Sequence, residues 1–290
     1  METTERALAK LNYSLDVTGR RGDGFHELAM VMGSVELSDE VRVELRTDGE
    51  FTAESNFPWV PRDDRNLGIR AAKAFFAALG ETKWGAGIRM EKRVPVGAGM
   101  AGGSTDAAAV LRALNRLTGA GMGADKLREI GLSVGSDVPY CVTGGMVLAR
   151  GRGEILTPLP ELPECWIVIA KPAFSVSTAE LFQRIDGKSI RTRPDINGMV
   201  DSLERGDLPG VVRRMYNVFE DALPRRCREI FAIRSRLLDG GAMGAVMTGT
   251  GSAVFGLFDR KDRAEGTAEA LSSHYKDCFL TKAAPRIEII

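Results

Sequence analysis

The stretch PVGAGMAGGSTDAA, residues 95–108, sets four glycines, a serine, a threonine and an acid between a short strand pattern and an apolar helix pattern. It contains a literal G-x-G-x-x-G at Gly97, Gly99 and Gly102, so a dinucleotide-binding turn is the first reading to test. That device follows the first strand of a βαβ unit and is answered by an acid about 20 residues on. Here strand patterns already precede the loop, positions 115–118 read Asn, Arg, Leu and Thr, and the next acid is Asp125. A Walker loop keeps its spacing from Gly97 to Gly102, but the lysine position is Gly103, followed by Ser104 and Thr105. What survives is the backbone half of a phosphate-binding device. Residues without side chains let peptide N–H groups approach an anion, and the loop opens into a helix whose free donors and dipole favour negative charge. Ser104 and Thr105 can cap that helix, bind a phosphate oxygen or take a metal ion. The competing reading is a plain glycine-rich turn with a capping pair, but so many flexible residues cost ordering entropy unless something must come close to the main chain.

The rest of the chain bounds the answer. With 290 residues, 44% of them hydrophobic, it can bury the core of one large domain or two ordinary ones. Its 39 basic and 39 acidic residues cancel, which removes the broad positive surface of a nucleic-acid binder but leaves room for a locally bound anion. Cys141, Cys165, Cys227 and Cys278 are widely spaced without a C-x-x-C pair, and only two histidines are present, so reduced thiols are expected rather than a metal centre. The opening METTERALAK lacks the apolar core of a signal peptide, and no apolar run nears the roughly 18 residues of a membrane span. A cytoplasmic protein with no membrane or nucleic-acid partner, acting as a monomer or weak homodimer, is expected.

Over residues 7–18 the sequence alternates, with Ala7, Ala9, Leu11, Tyr13, Leu15 and Val17 on one side and Lys10, Asn12, Ser14 and Asp16 on the other. Period two predicts a strand with one buried and one exposed face, and it sets Lys10 and Asn12 side by side. RRGDGFHE then reads as a turn. Strands are expected over 29–37 and 41–45 as a meander, a helix over 66–79 ending at Gly80, a strand through Ile88 and Met90, and a helix over 104–117 closed by Gly119. After the prolines of residues 158–163, WIVIA opens a second unit, in which helical patterns at 178–182, 197–203, 225–238 and 264–272 are interspersed with strands near 242–247, 253–258 and 279–282. The whole is an α+β chain, divided into 1–160 and 161–290.

The glycine loop, with its strand and helix, resembles the phosphate loop of the GHMP kinases (galactose, homoserine, mevalonate and phosphomevalonate kinases). Three further blocks agree in order: AKLNYSLDVTGRRGDGFHEL, GSDVPYCVTGGMVLARGRGEILTPL and MTGTGSAVFGLF. The DGFHEL and GEILTPL segments resemble the branch of the family whose acceptor is a cytidine-diphosphate-linked methylerythritol. The resemblance implies a ribosomal-protein-S5-type N-terminal domain and a ferredoxin-like C-terminal one, with ATP and Mg²⁺ meeting a small-molecule alcohol in the cleft between them. A homoserine- or mevalonate-type kinase remains an alternative, as does a nucleotide-binding regulator without turnover.

The same resemblance assigns roles. From sequence alone Asp137, in GSDVP, reads first as an acid capping a turn; the resemblance reverses that and makes it correspond to the carboxylate that accepts the acceptor's hydroxyl proton. Lys10, otherwise a solvated lysine, becomes the cation paired with Asp137, with Asn12 as a polar positioner beside it. The nucleotide loop is Pro95, Val96, Gly97, Ala98, Gly99, Met100, Ala101, Gly102, Gly103, Ser104 and Thr105, closed over by Thr248, Gly249 and Gly251 of the second glycine element. Phe25 and His26 would clamp the cytosine, with Phe182 as the opposite wall and Arg152 lining the same pocket; Phe25 stands where tyrosine often occurs. Asn217 and Glu220 receive no chemical role.

Overall fold

The computed structural model describes all residues except Ser189, Arg191 and Ile290. The chain opens with two long antiparallel strands, β1 (Glu2–Arg20) and β2 (His26–Arg46), joined by the RRGDGFHE turn. The stretches 29–37 and 41–45, read as separate strands, are one: β2 continues through the polar residues between them. Its second half pairs with β4 (Gly85–Glu91), which pairs in parallel with β3 (Phe51–Ser55). Its first half pairs with β5 (Val147–Gly151), itself paired with β6 (Ile155–Pro158). Four helices cover one face: α1 (Leu67–Leu79), α2 (Gly102–Thr118), α3 (Ala124–Val134) and α4 (Val138–Thr143). α1 begins where the Asn66 side chain accepts the Gly68 N–H and ends at Gly80, whose φ of 77° suits glycine.

The second sheet contains β7 (Trp166–Lys171), β9 (Gly244–Met247), β10 (Val254–Phe258) and β11 (Asp277–Thr281), in the order β11-β7-β10-β9 and antiparallel throughout. Between β7 and β9 run α5 (Thr178–Asp186), α6 (Ile196–Glu204), α7 (Leu208–Arg213), β8 (Tyr216–Asn217), α8 (Phe219–Ala222) and α9 (Arg228–Asp239), and α10 (Lys261–Ser272) precedes β11. With α9 and α10 as its two covering helices, this is the expected ferredoxin-like βαββαβ order. The other segments between β7 and β9 form a helical insert. Two pieces of the second half return to the first sheet. β8 pairs in parallel with β1 at Ser14 and Leu15, and the C-terminal tail bridges β2 through Val35 and Ala283.

The two sheets pack face to face through Leu11 and Tyr13 of β1, Ile169 of β7 and Phe255 of β10, with the Tyr13 and Phe255 rings 5.4 Å apart edge to face. β1 is therefore covered on both sides, which corrects the expectation of an exposed face. Lys10, Asn12, Ser14 and Asp16 are all buried. Nor is its apolar row continuous: Ala9, Leu11 and Tyr13 join the cluster against the second sheet, while Ala7, Leu15 and Val17 join the cluster beneath the helices. The register with β2 shifts between Leu8 and Lys10 and again between Asn12 and Ser14. Each bulge turns the strand over, so the segment carrying Lys10 and Asn12 is re-aimed relative to both flanks.

Candidate active site

The glycine loop lies where β1, α2 and the second sheet converge. The Lys10 N–H donates to the Met100 carbonyl (3.2 Å) and the Ala253 N–H to the Ala98 carbonyl (3.2 Å), so the loop is held from both halves of the chain. Ala98 and Met100 are buried in the core, which leaves only their main chain for a ligand. Helix α2 starts two residues earlier than expected, at Gly102, with Ala101 at its N-cap in the left-handed region (φ 59°). Ser104 and Thr105 are thus inside the first turn and do not cap it. The Thr105 hydroxyl donates to the Leu8 carbonyl (2.7 Å) and is buried, so its role is to join α2 to β1. Ser104 lines the cavity described below.

The second glycine element meets the first directly. A Cβ on Gly99 would lie 2.2 Å from the Thr248 carbonyl oxygen, and one on Gly249 would lie 2.7 Å from the Gly99 carbonyl oxygen. Both residues have positive φ (75° and 56°). The Thr248 hydroxyl donates to Gly99 O (3.3 Å) and accepts the Asn12 N–H (3.0 Å). Thr248, expected at the phosphates, thus spends its hydroxyl tying the two loops to β1. Gly251 N donates back to Thr248 O (2.9 Å), closing the turn. Two residues without an assigned role position this turn. The Asn217 amide donates to the Met247 and Gly249 carbonyls (both 2.8 Å), while the Glu220 carboxylate accepts the Met247 N–H (2.7 Å) and pairs with Arg234. Burial pushes the Glu220 carboxyl up.

A cavity of about 340 Å³ opens beside the loop, walled by Gly97, Gly103 and Ser104 on one side and by Trp59, Pro61, Asn66 and Leu67 on the other. Beneath it sits a buried charge cluster. Lys92 pairs with Asp39 and with Asp106 (2.5 Å) and reaches the Gly102 carbonyl (3.3 Å), while Asp39 accepts the N–H groups of Arg93 (2.5 Å) and Val94 (2.7 Å). The cluster therefore grips both the entry and the exit of the glycine loop. Two acids share one cation out of water, so burial raises the Asp106 carboxyl against the pull of Lys92. Burial would depress Lys92, but the two carboxylates outweigh it and hold the ammonium above its ordinary value.

At the acceptor side, Lys10 is buried and its Nζ donates to Asn12 Oδ1 (2.5 Å). Asp137 stands at the N-cap of α4, yet its carboxylate takes no capping hydrogen bond. The capping alternative is not used, and the group is left without a side-chain partner among the described residues. Lys10 and Asp137 do not form the expected ion pair in this structure: among the described residues Lys10 makes none, and its donor goes to Asn12. Burial drives the Cys141 thiol well above its ordinary range, with the Asp137 charge adding to the rise and the Lys10 charge opposing it. All four cysteines are free.

The aromatic residues pair differently from the expected clamp. Phe182 stacks on His26, with ring centroids 4.4 Å apart. His26 Nε2 bonds the Asp186 carboxylate (2.6 Å). Phe25 is 47% exposed and carries the Arg152 guanidinium 3.7 Å from its ring centroid. Arg152 thus reaches both Phe25 and Ser136 through its side chain. Among the described residues no group of three or more His, Cys, Asp or Glu could hold a metal ion. A Mg²⁺ ion bound to a triphosphate, however, needs only one or two protein oxygens. Ser104, which lines the cavity at the loop and carries a hydroxyl, fits that need. Among the described residues no helix is long and apolar enough to cross a membrane.

A phosphate-type glycine loop, a second loop seated on it and the Lys10–Asn12 segment of β1 form one assembly. Residues 66–145 match the GHMP kinases N terminal domain and residues 199–277 the GHMP kinases C terminal domain, and the chain belongs to the GHMP kinase family. It is 39% identical over 281 residues to a 4-diphosphocytidyl-2-C-methyl-D-erythritol kinase of Alkaliphilus metalliredigens, covering 97% of this chain and 96% of that protein. A crystal structure of a 4-(cytidine 5'-diphospho)-2C-methyl-D-erythritol kinase superimposes with a TM-score of 0.80 at 32% identity, over 97% of this chain and 99% of the other. A homoserine kinase from Cytophaga hutchinsonii, at 19% identity and a TM-score of 0.72 over 97% and 95% of the two chains, shares the fold.

Proposed function

We infer that this chain is an ATP-dependent kinase that transfers the γ-phosphoryl group of ATP to the 2-hydroxyl of 4-diphosphocytidyl-2-C-methyl-D-erythritol, a step of non-mevalonate isoprenoid synthesis. The observation that carries the chemistry is the seating of one glycine loop on the other beside the Lys10–Asn12 edge, which frames a site built of main-chain amides at the N-terminus of α2. The relatives' names and the exposed Phe25 next to His26 support the acceptor.

In this reading the triphosphate lies against residues 97–105 and under 249–251, and the adenine enters the cavity walled by Trp59 and Leu67. Ser104 would be the protein ligand of a Mg²⁺ ion, which would offset charge on the transferred group. Asp137 accepts the hydroxyl proton as the oxygen attacks. A base of ordinary strength suffices, because the alcohol becomes strongly acidic only late in a loose transition state. Lys10, oriented by Asn12, stabilises negative charge at the nucleophile, and its burial raises the value of that interaction. No covalent intermediate is needed; positioning and electrostatics supply the rate.

The test is coupled ADP release from the purified protein with the cytidyl diol, homoserine, mevalonate and galactose as acceptors. Turnover confined to the cytidyl diol, with CMP and CDP competing against it, is the expected result. Equal turnover of homoserine or mevalonate, or failure of CDP to compete, overturns the acceptor assignment.

A further inference from the structure

The reading above leaves a gap between its two ends. Base recognition is assigned to Phe25 and His26, and proton transfer to Asp137, so an acceptor that reaches both must thread its linking diphosphate through the space between them. Arg152 spans that space. Its guanidinium lies on the Phe25 ring, 3.7 Å from the centroid, while Nη2 donates to Ser136 Oγ (3.2 Å), the residue next to Asp137 in the chain.

The hydrogen bonding of this side chain is incomplete. Nε is buried and has no partner. The nearby arginines are occupied: Arg20 pairs with Asp186, Arg21 with Asp23 and Glu27, and Arg193 with Asp16. Arg152 makes no ion pair among the described residues. Glu154, the closest acid in sequence, accepts the Arg152 main-chain N–H (2.5 Å). Asp23 is near enough to feel the guanidinium charge, but its carboxylate is engaged by the Phe25 N–H and by Arg21. Stacking on an aromatic ring uses the face of a guanidinium and leaves its in-plane N–H groups available; here Nη2 is shared with Ser136, while Nη1 donates to no residue among those described. A half-buried cation with an unmet donor between the two ends of an anionic ligand is suited to phosphate oxygens, which accept the fork in a bidentate manner.

We propose that Arg152 is the cation that holds the acceptor's diphosphate linker, and so a specificity-determining residue that selects nucleoside-diphosphate-linked alcohols over uncharged ones. The proposal rests on the acceptor assigned above.

Equilibrium binding of cytidine, CMP and CDP to the full-length protein and to its Arg152→Met and Arg152→Lys variants tests it, with thermal melts to verify folding. The expected result is that wild type prefers CDP over cytidine. Arg152→Met should weaken CDP by at least about tenfold, the worth of a charge-assisted phosphate contact, while cytidine changes less than threefold. Arg152→Lys should keep part of the CDP preference. Equal losses for cytidine and CDP overturn the proposal, since Arg152 would then act only by bracing Phe25, and so does an unchanged CDP preference in Arg152→Met. If wild type binds neither cytidine nor CDP, the acceptor assignment itself falls and takes the proposal with it.

Discussion

Gly99 and Gly249 touch main chain to main chain, with no room for a methyl group on either. Their positive φ angles already favour glycine, so alanine at either position pays a left-handed penalty and must push the loops apart. Gly249→Ala is expected to cost about 2 kcal/mol of stability and to raise the KM for ATP by at least about tenfold. Urea unfolding and ATP titration of the coupled assay measure both. An unaltered KM would show that the second loop does not form part of the nucleotide site.

Asn217 holds the same loop from behind. Asn217→Ala leaves the buried Met247 and Gly249 carbonyls without their donor, a loss of about 2 kcal/mol. Since the side chain supports the loop and reaches no reacting atom, the expected change is a higher KM for ATP with kcat nearly kept. A fall in kcat at unchanged KM would assign it to the chemistry instead.

Asp137→Asn keeps the shape and removes the proton acceptor. The expected outcome is a kcat lower by about 10²- to 10⁴-fold with ATP binding retained, read by ADP release and by nucleotide titration. Lys10→Met should lower kcat by about 10²-fold or more through lost charge stabilisation. The double variant should be far from the product of the two, because the groups act as a unit.

Asp106 gives a pH signature. Burial raises its carboxyl to about 7 in the folded chain, against about 4 when unfolded. Between those values the folded state binds the extra proton, so this group's stabilising contribution is complete below pH 4 and fades as the pH rises towards 7. Asp106→Asn leaves Lys92 with Asp39 alone and removes that slope. Urea midpoints at pH 5 and pH 8 should therefore shift towards the alkaline side in the variant relative to wild type. Parallel profiles for the two proteins would refute the assignment.

Local pattern was enough for most elements. The helices over 67–79 and 261–272 and the strands of the second sheet follow their periodicities, and the strand–glycine loop–helix order around residues 95–108 is legible from spacing. What was hidden depended on partners distant in the chain. Residues 38–40 read as a break between strands because they are polar, yet Asp39 lies buried inside β2 since Lys92 and the Val94 N–H reach it. The bulges flanking Lys10 and Asn12 leave the alternation of β1 intact, because register belongs to the strand pair and not to either strand. Trp59 and Pro61 sit in a segment with no period, so nothing local marked them as a cavity wall. The hydroxyls of Thr105 and Thr248 looked available for a ligand because their acceptors, Leu8 O and Gly99 O, are 97 and 149 positions away.

The pairing of β8 with β1, together with the tail that returns to β2, makes the two lobes hostage to each other. A fragment ending near residue 160 would expose the flank of β1 that β8 now occupies, and the complementary fragment would carry an orphan ribbon with nothing to lie against. Two seams besides the connecting chain therefore join the lobes, and any hinge motion that parted them would have to break the β8–β1 pairing and the Val35–Ala283 bridge or carry both along.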